Sequence, residues 1–180
     1  MFRWVRRAVL VIALVVLVGS ALLALTARPD LNRTRSDVRA RWAPLQTELE
    51  SRYQLLANAN NATRAAGGPE RAIVSDIDAA LADWRASKTA SVTTQVHDAN
   101  VLEALGRRLT TAVTGSARLR AMNAVIAAAR AYANATEPPS AAAFDTAVRK
   151  YENARGGSFR RPVVGLFGYD SIPSYDTGIA

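Results

Sequence analysis

The sequence predicts an all-α protein: a single N-terminal transmembrane helix, then an elongated, antiparallel, four-helix-bundle-like domain, then an irregular C-terminal tail. Three observations carry this reading. Residues 8–27 (AVLVIALVVLVGSALLALTA) are uncharged and almost wholly apolar. Beyond them, apolar residues recur at helical steps of three and four, with no strand-like alternation before residue 157. Alanine supplies 31 of the 68 apolar residues in 28–180, a composition suited to closely packed helices rather than to a bulky mixed core.

Residues 1–7 form a basic tail with Arg3, Arg6 and Arg7. Twenty helical residues at about 1.5 Å each match a hydrocarbon core of about 30 Å, so 8–27 fits a membrane-spanning helix in contact with the lipid bilayer. A cleaved signal peptide is the competing reading. Its apolar region is normally about 7–15 residues, and Leu25-Thr26-Ala27 lacks the small residue that cleavage prefers, so an uncleaved anchor is expected. Arg6 and Arg7 lie against the run and favour a cytoplasmic N-terminus, whereas Arg28, Arg33, Arg35, Arg39 and Arg41 crowd the other side. Weighting the residues nearest the boundary gives a single-pass cell-membrane protein with its bundle on the extracytoplasmic side.

Residues 28–157 carry the bundle. Arg28-Pro29-Asp30 is expected to interrupt the anchor and restart a helix. Val38, Trp42, Leu45, Leu49, Arg52, Leu56 and Ala59 then step by 4, 3, 4, 3, 4 and 3, a heptad seam typical of a coiled-coil-like long helix. Pro44 should bend or divide it. Arg52 breaks the apolar seam and is expected to snorkel toward Glu48, one turn back. Gly67-Gly68-Pro69-Glu70 reads as a stop followed by a start. A second helix carries Ile73, Ile77, Leu81 and Trp84, with Asp76, Asp78 and Asp83 on a solvated face. Ser87 to Thr94 is a connection. A third helix holds Val96, Ala99, Leu102, Leu105, Leu109 and Val113 and is ended or kinked by Gly115-Ser116. A fourth carries Leu119, Met122, Ile126, Ala129 and Ala133 at steps of 3, 4, 3 and 4 and stops before Glu137-Pro138-Pro139. Ser140 is expected to cap a last helix with Phe144, Ala147, Val148 and Tyr151, closed by Gly156-Gly157.

Several classes of chemistry lack their residues. There is no Cys and one His, so thiolate chemistry, zinc knuckles and two-histidine metal sites are excluded. No phosphate-binding glycine loop, nucleophile elbow or zinc-protease motif occurs, and His97 beside Asp98 reads as a surface histidine. The formal charge is +8, falling to +5 once Arg3, Arg6 and Arg7 are set aside, and the remaining arginines are scattered beside acids as in Asp37 with Arg41. Nucleic-acid binding would need a clustered basic stripe with stacking aromatics. No cofactor, metal or nucleic acid is therefore expected.

The last helix and tail, FDTAVRKYENARGGSFRRPVVGLFGYD, resemble the LemA family, which carries a YNxxVxxYN-like stretch followed by Pro and a GLFGF-like end. Phe144-Asp145, Val148 and Tyr151-Glu152 take the first positions, and Gly165-Leu166-Phe167-Gly168-Tyr169 the second. The family's early Trp, Leu, Arg and LIPNLV are similar to Trp42, Leu49, Arg52 and LLANAN at Leu55 to Asn60. Departures at Ala57, Asp145 and Glu152, Pro69-Glu70 in place of His-Glu, and Pro138-Pro139 mark a divergent member. The resemblance implies a membrane helix followed by a bundle of long helices; the family brings no settled catalytic activity or cofactor, so it bears on architecture more than on function.

The tail, residues 158–180, holds Phe159, Arg160, Arg161, Phe167, Tyr169 and Tyr175 among Gly and Pro. Packing back across the bundle as a strap would bury the aromatics; an exposed basic and aromatic contact for a partner or lipid would use Phe159, Arg160, Arg161, Phe167 and Tyr169. The expected function is a non-enzymatic scaffold or partner-binding module at the cell membrane with an unidentified protein partner. Alternatives are a membrane-bound hydrolase or lyase using carboxylates such as Asp76, Asp83 or Glu103, and an envelope or lipid sensor acting through the tail.

Overall fold

Helix α1 (Phe2–Ala66) is the axis on which everything else is built. The computed structural model describes residues 2–157 and 161–176, with side chains from Ala27 onward apart from those of residues 161 and 162. The apolar stretch of the expected anchor, residues 8–26, lies outside the described side chains. Among the described residues, no helix is long and apolar enough to cross a membrane. Those residues are all-helical, with no strand, in a bundle-like packing.

The heptad seam works as the spacing predicts: Val38, Trp42, Leu45, Leu49, Leu56 and Ala59 are buried, and Arg52 is buried with them. The helix is not divided at Pro29 or Pro44, since both prolines lie inside α1. Pro44 is exposed, and so is Ala40, whose carbonyl loses its intrahelical donor. Water can satisfy that carbonyl, and the buried seam on the opposite side keeps the helix continuous.

Gly67 and Gly68 take positive φ values of 65° and 113° and reverse the chain. Helix α2 (Arg71–Ala86) then runs back along α1, Asn60 meeting Val74 near its start and Trp42 meeting Trp84 near its end. A 3-10 turn (Ser87–Thr89) leads to α3 (Val92–Gly115), capped by Ser91, whose hydroxyl accepts from the Thr94 amide at 3.2 Å. Helix α3 runs parallel to α1: Gln95 lies against Trp42, Glu103 against Arg52, and Arg118, just past its end, donates to the carbonyl of Ala66.

The fourth helix is two. Helix α4 (Ala117–Arg120) and α5 (Asn123–Ala133) are separated by Met122, which is extended at φ −98° and ψ 102°. The break resets the helical phase. Val125, Ala129 and Tyr132 are buried in the core, Ile126 packs half-buried against it, and Ala133 is exposed. Helix α5 returns along the distal half of α1 and α3, completing a four-helix section.

After the Pro138-Pro139 bend, α6 (Ala141–Gly156) continues in the same direction along the proximal half of α1. Ser140 occupies the cap position but makes no capping bond. Its amide and hydroxyl instead donate to Glu48 at 3.1 and 2.8 Å, which is why Glu48 does not serve Arg52. The tail is not wholly irregular, because Arg161–Phe167 form a short helix α7 beside the proximal end of α1. Residues 168–176 then turn back as an extended strap, burying Tyr169, Ile172 and Tyr175. The strap bonds to α6 through Glu152 and Asp145, and to α3 through Asn100.

Candidate functional site

Where α5 hands over to α6 and the strap ends, four elements converge on one carboxylate. Glu103 of α3 is fully buried and Arg52 of α1 is 8% exposed. Arg52 grips it with two parallel bonds, Nε donating to Oε1 at 2.8 Å and Nη2 to Oε2 at 3.0 Å. Tyr132 of α5 donates its hydroxyl to Oε2 at 3.1 Å, and Tyr175 of the strap donates to Oε1 at 2.9 Å. The third guanidinium nitrogen, Nη1, donates to the carbonyl of Ala135 at 2.9 Å, and the guanidinium carbon lies 4.8 Å from the centre of the Tyr132 ring. Beside them, Tyr53 donates to the carbonyl of Ala99 at 3.1 Å.

The carboxylate thus accepts four hydrogen bonds and the guanidinium is opposed by its own counter-charge, the condition under which a buried ion pair is tolerated. Burial pulls the Arg52 guanidinium down, but the hydrogen bond and charge of Glu103 outweigh it and hold Arg52 above its ordinary value. Burial, reinforced by the Glu103 charge, raises Tyr132 and Tyr175 well above 10.0, while Arg52 opposes the rise in both. Burial also raises Tyr53, with the neighbouring Tyr175 and Glu103 adding to it. Unfolding returns each phenol to an ordinary value near 10.0, so the folded chain resists their ionisation. Stability is therefore expected to hold below about pH 10 and to fall as pH rises further, each phenol contributing a slope of about 1.4 kcal/mol per pH unit once the unfolded form ionises. Melting curves between pH 8 and 12 test this; Tyr175→Phe should flatten the fall.

Gly106 makes the site possible. A Cβ there would lie 2.1 Å from the Tyr132 hydroxyl, so the bare helix surface one turn beyond Glu103 lets that ring in. Gly106→Ala is accordingly expected to destabilise by about 1–3 kcal/mol through overpacking, although alanine is the better helix former by about 1 kcal/mol. Denaturant midpoints check the sign, and Tyr132→Ala in the same chain should remove most of the penalty.

The carboxylates singled out from sequence are not brought together. Asp76 and Asp83 are exposed on α2, while Glu103 is sealed in the core. The single histidine, His97, is exposed on α3. Among the described residues no group of three or more His, Asp or Glu side chains is placed to hold a metal ion. A surface cleft of about 330 Å³ at the α1–α2 turn is lined by Arg64, Glu70, Arg71 and Asp78, away from the Glu103 cluster. Its walls are already paired, Arg64 to Asp78 and Glu70 to Arg118.

Of the tail residues expected to touch a partner or lipid, Phe159 and Arg160 lie outside the described residues, as does the side chain of Arg161. Tyr169 is buried and donates to Asn32 Oδ1 at 2.6 Å, so it serves as an anchor of the strap and not as an exposed contact. Phe167 is 37% exposed, with the Arg28 guanidinium 4.6 Å from its ring centre. Leu166, next to it, is 80% exposed.

The fold and this centre define a class: a helical bundle built on one long helix and locked at its waist by a buried Arg–Glu–Tyr cluster. The chain matches no family model, no curated protein and no solved structure.

Proposed function

We propose that the protein is a non-enzymatic, single-pass membrane protein of the LemA type, whose bundle acts as a scaffold or partner-binding module at the cell membrane, on the extracytoplasmic side. The observation that carries this is the uncharged run 8–27, long enough for a bilayer, placed in the same helix that organises the bundle. A bundle whose axis is the continuation of its anchor holds its faces at fixed height and orientation above the membrane. That suits presentation of a surface to another protein. The Glu103 cluster favours the non-catalytic reading: its carboxylate is saturated by four donors and has no open side for substrate.

Reporter fusion at Ala180 tests topology, an extracytoplasmic signal being expected. Crosslinking in native membranes with mass spectrometry tests the partner role. A recurrent protein crosslinked to the bundle faces is expected, and recovery of lipid and self contacts alone would overturn it.

A further inference from the structure

Helix α7 leaves a large apolar side chain in the open for no reason internal to the fold. Val163 faces the core at 4% exposure, yet Leu166 on the other side is 80% exposed and Phe167 is 37% exposed. Soluble surfaces tolerate single leucines, so exposure alone decides nothing. Position decides it. Phe167 sits under the Arg28 guanidinium, and Tyr169, two residues on, is tied to Asn32. Arg28 is the first residue after the apolar run.

With about 1.5 Å of rise per helical residue, a run ending at residue 27 puts Arg28 at the edge of the hydrocarbon and Asn32 about 6 Å beyond it. Docked between those two levels, α7 lies in the headgroup layer. Phenylalanine, tyrosine and arginine are the residues that populate that layer, and an apolar face directed into it is how interfacial helices bind. The charge around it has one dominant sign: over residues 28–41 five arginines stand against Asp30 and Asp37, with Arg28, Arg33, Arg39 and Arg41 exposed. Asp37 is already paired with Arg41. Of the arginines, Arg28 and Arg33 are exposed and lie within about 8 Å of the hydrocarbon edge, inside the Debye length of about 10 Å over which anionic lipid headgroups attract a cation.

We infer that α7 and the first turns of α1 beyond the run form an interfacial contact with an anionic phospholipid surface, Leu166 entering the headgroup–acyl boundary and Arg28 and Arg33 engaging lipid phosphates. The contact rests on the membrane-anchored reading above and deepens it. It makes the C-terminal segment a second foot of the bundle, bracing the axis against tilt.

The absence of cysteine allows single-site labels in the full-length chain. Spin labels at Leu166→Cys, Val16→Cys and Thr114→Cys, the last exposed at the distal end of α3, are read in vesicles of phosphatidylcholine with and without phosphatidylglycerol. Collision with a water-soluble nickel complex is expected to be several-fold weaker at position 166 than at 114. Protection should increase with phosphatidylglycerol, and Arg33→Glu should abolish that increase. Nickel access at 166 equal to that at 114, with Val16 protected, overturns the contact and leaves the anchor standing. Access at both 16 and 166 overturns both readings. Protection at 166 with access at 16 overturns the spanning helix and with it the depth assigned to α7, leaving a lipid contact of another origin. Protection indifferent to phosphatidylglycerol overturns the role of Arg28 and Arg33.

Discussion

Glu103→Ala is expected to destabilise the fold by about 3–5 kcal/mol, a large part of the 5–15 kcal/mol that holds a typical domain together. The loss comes from what is left behind. Arg52, 8% exposed, would remain charged in the core with only the Ala135 carbonyl to accept from it. The hydroxyls of Tyr132 and Tyr175 would lose their acceptor in the same step, and the strap its innermost tie. Two further variants separate charge from packing. Glu103→Gln keeps the shape and one good acceptor but removes the counter-charge, so it should fall between wild type and alanine. Arg52→Met with Glu103→Leu removes both charges and should recover the part of the loss due to the stranded Arg52 charge, because a buried pair replaced by apolar groups of similar size is often neutral, while the Tyr132 and Tyr175 hydroxyls stay without an acceptor. Helix content followed by circular dichroism through a denaturant titration of the full-length chain measures all three. A double variant no more stable than Glu103→Ala would show that the cluster does not act through its charges.

How legible this centre is in the sequence depends on the reach of each signal. The seam from Val38 to Ala59 can be read because helical periodicity is local, and each apolar position in it is buried. Arg52 stands out there as an intruder, but periodicity sees partners only one turn away. It points to Glu48, whereas the true partner, Glu103, is 51 residues distant. A second local signal lies near that partner: Gly106, a glycine in a helix interior where alanine is otherwise the rule, three residues after an inward-facing glutamate. A missing Cβ beside a carboxylate on the core face marks a place where something large must enter. The helical phase of Tyr132 is hidden more deeply, because Met122 breaks the fourth helix without glycine or proline. The proline breaks fail for the opposite reason. Proline costs a helix one hydrogen bond locally, and at Pro44 the buried seam on both sides outweighs that cost. In the tail the aromatics are plainly visible, but which of them turn inward follows from contacts with Asn32 and Glu103, far away in the chain.

Trp42→Ala is the other large loss expected, about 3–5 kcal/mol, because this one side chain joins three elements to α1. It is 3% exposed; its ring meets Trp84 of α2 edge-on at 6.3 Å and lies 5.2 Å from Phe144 of α6. Its indole nitrogen donates to the side-chain oxygen of Gln95 on α3. Gln95 is buried, and its amide nitrogen in turn donates to the carbonyls of Lys88 and Ala90 at 3.3 and 2.8 Å, which holds the α2–α3 connection in place. Truncation would open a cavity between α2 and α6 and strand the Gln95 oxygen without a donor, so local loosening should accompany the global loss. Amide exchange in residues 87–91 is therefore expected to accelerate more than in the distal half of α3, which Trp42 does not touch. Trp42→Phe divides the two contributions, since it keeps most of the ring packing and removes only the donor; it should cost about 1–3 kcal/mol. Urea midpoints for the two variants decide the matter. If Trp42→Ala lay within 1 kcal/mol of wild type, the aromatic junction would not be what fastens α2 and α6 to the central helix.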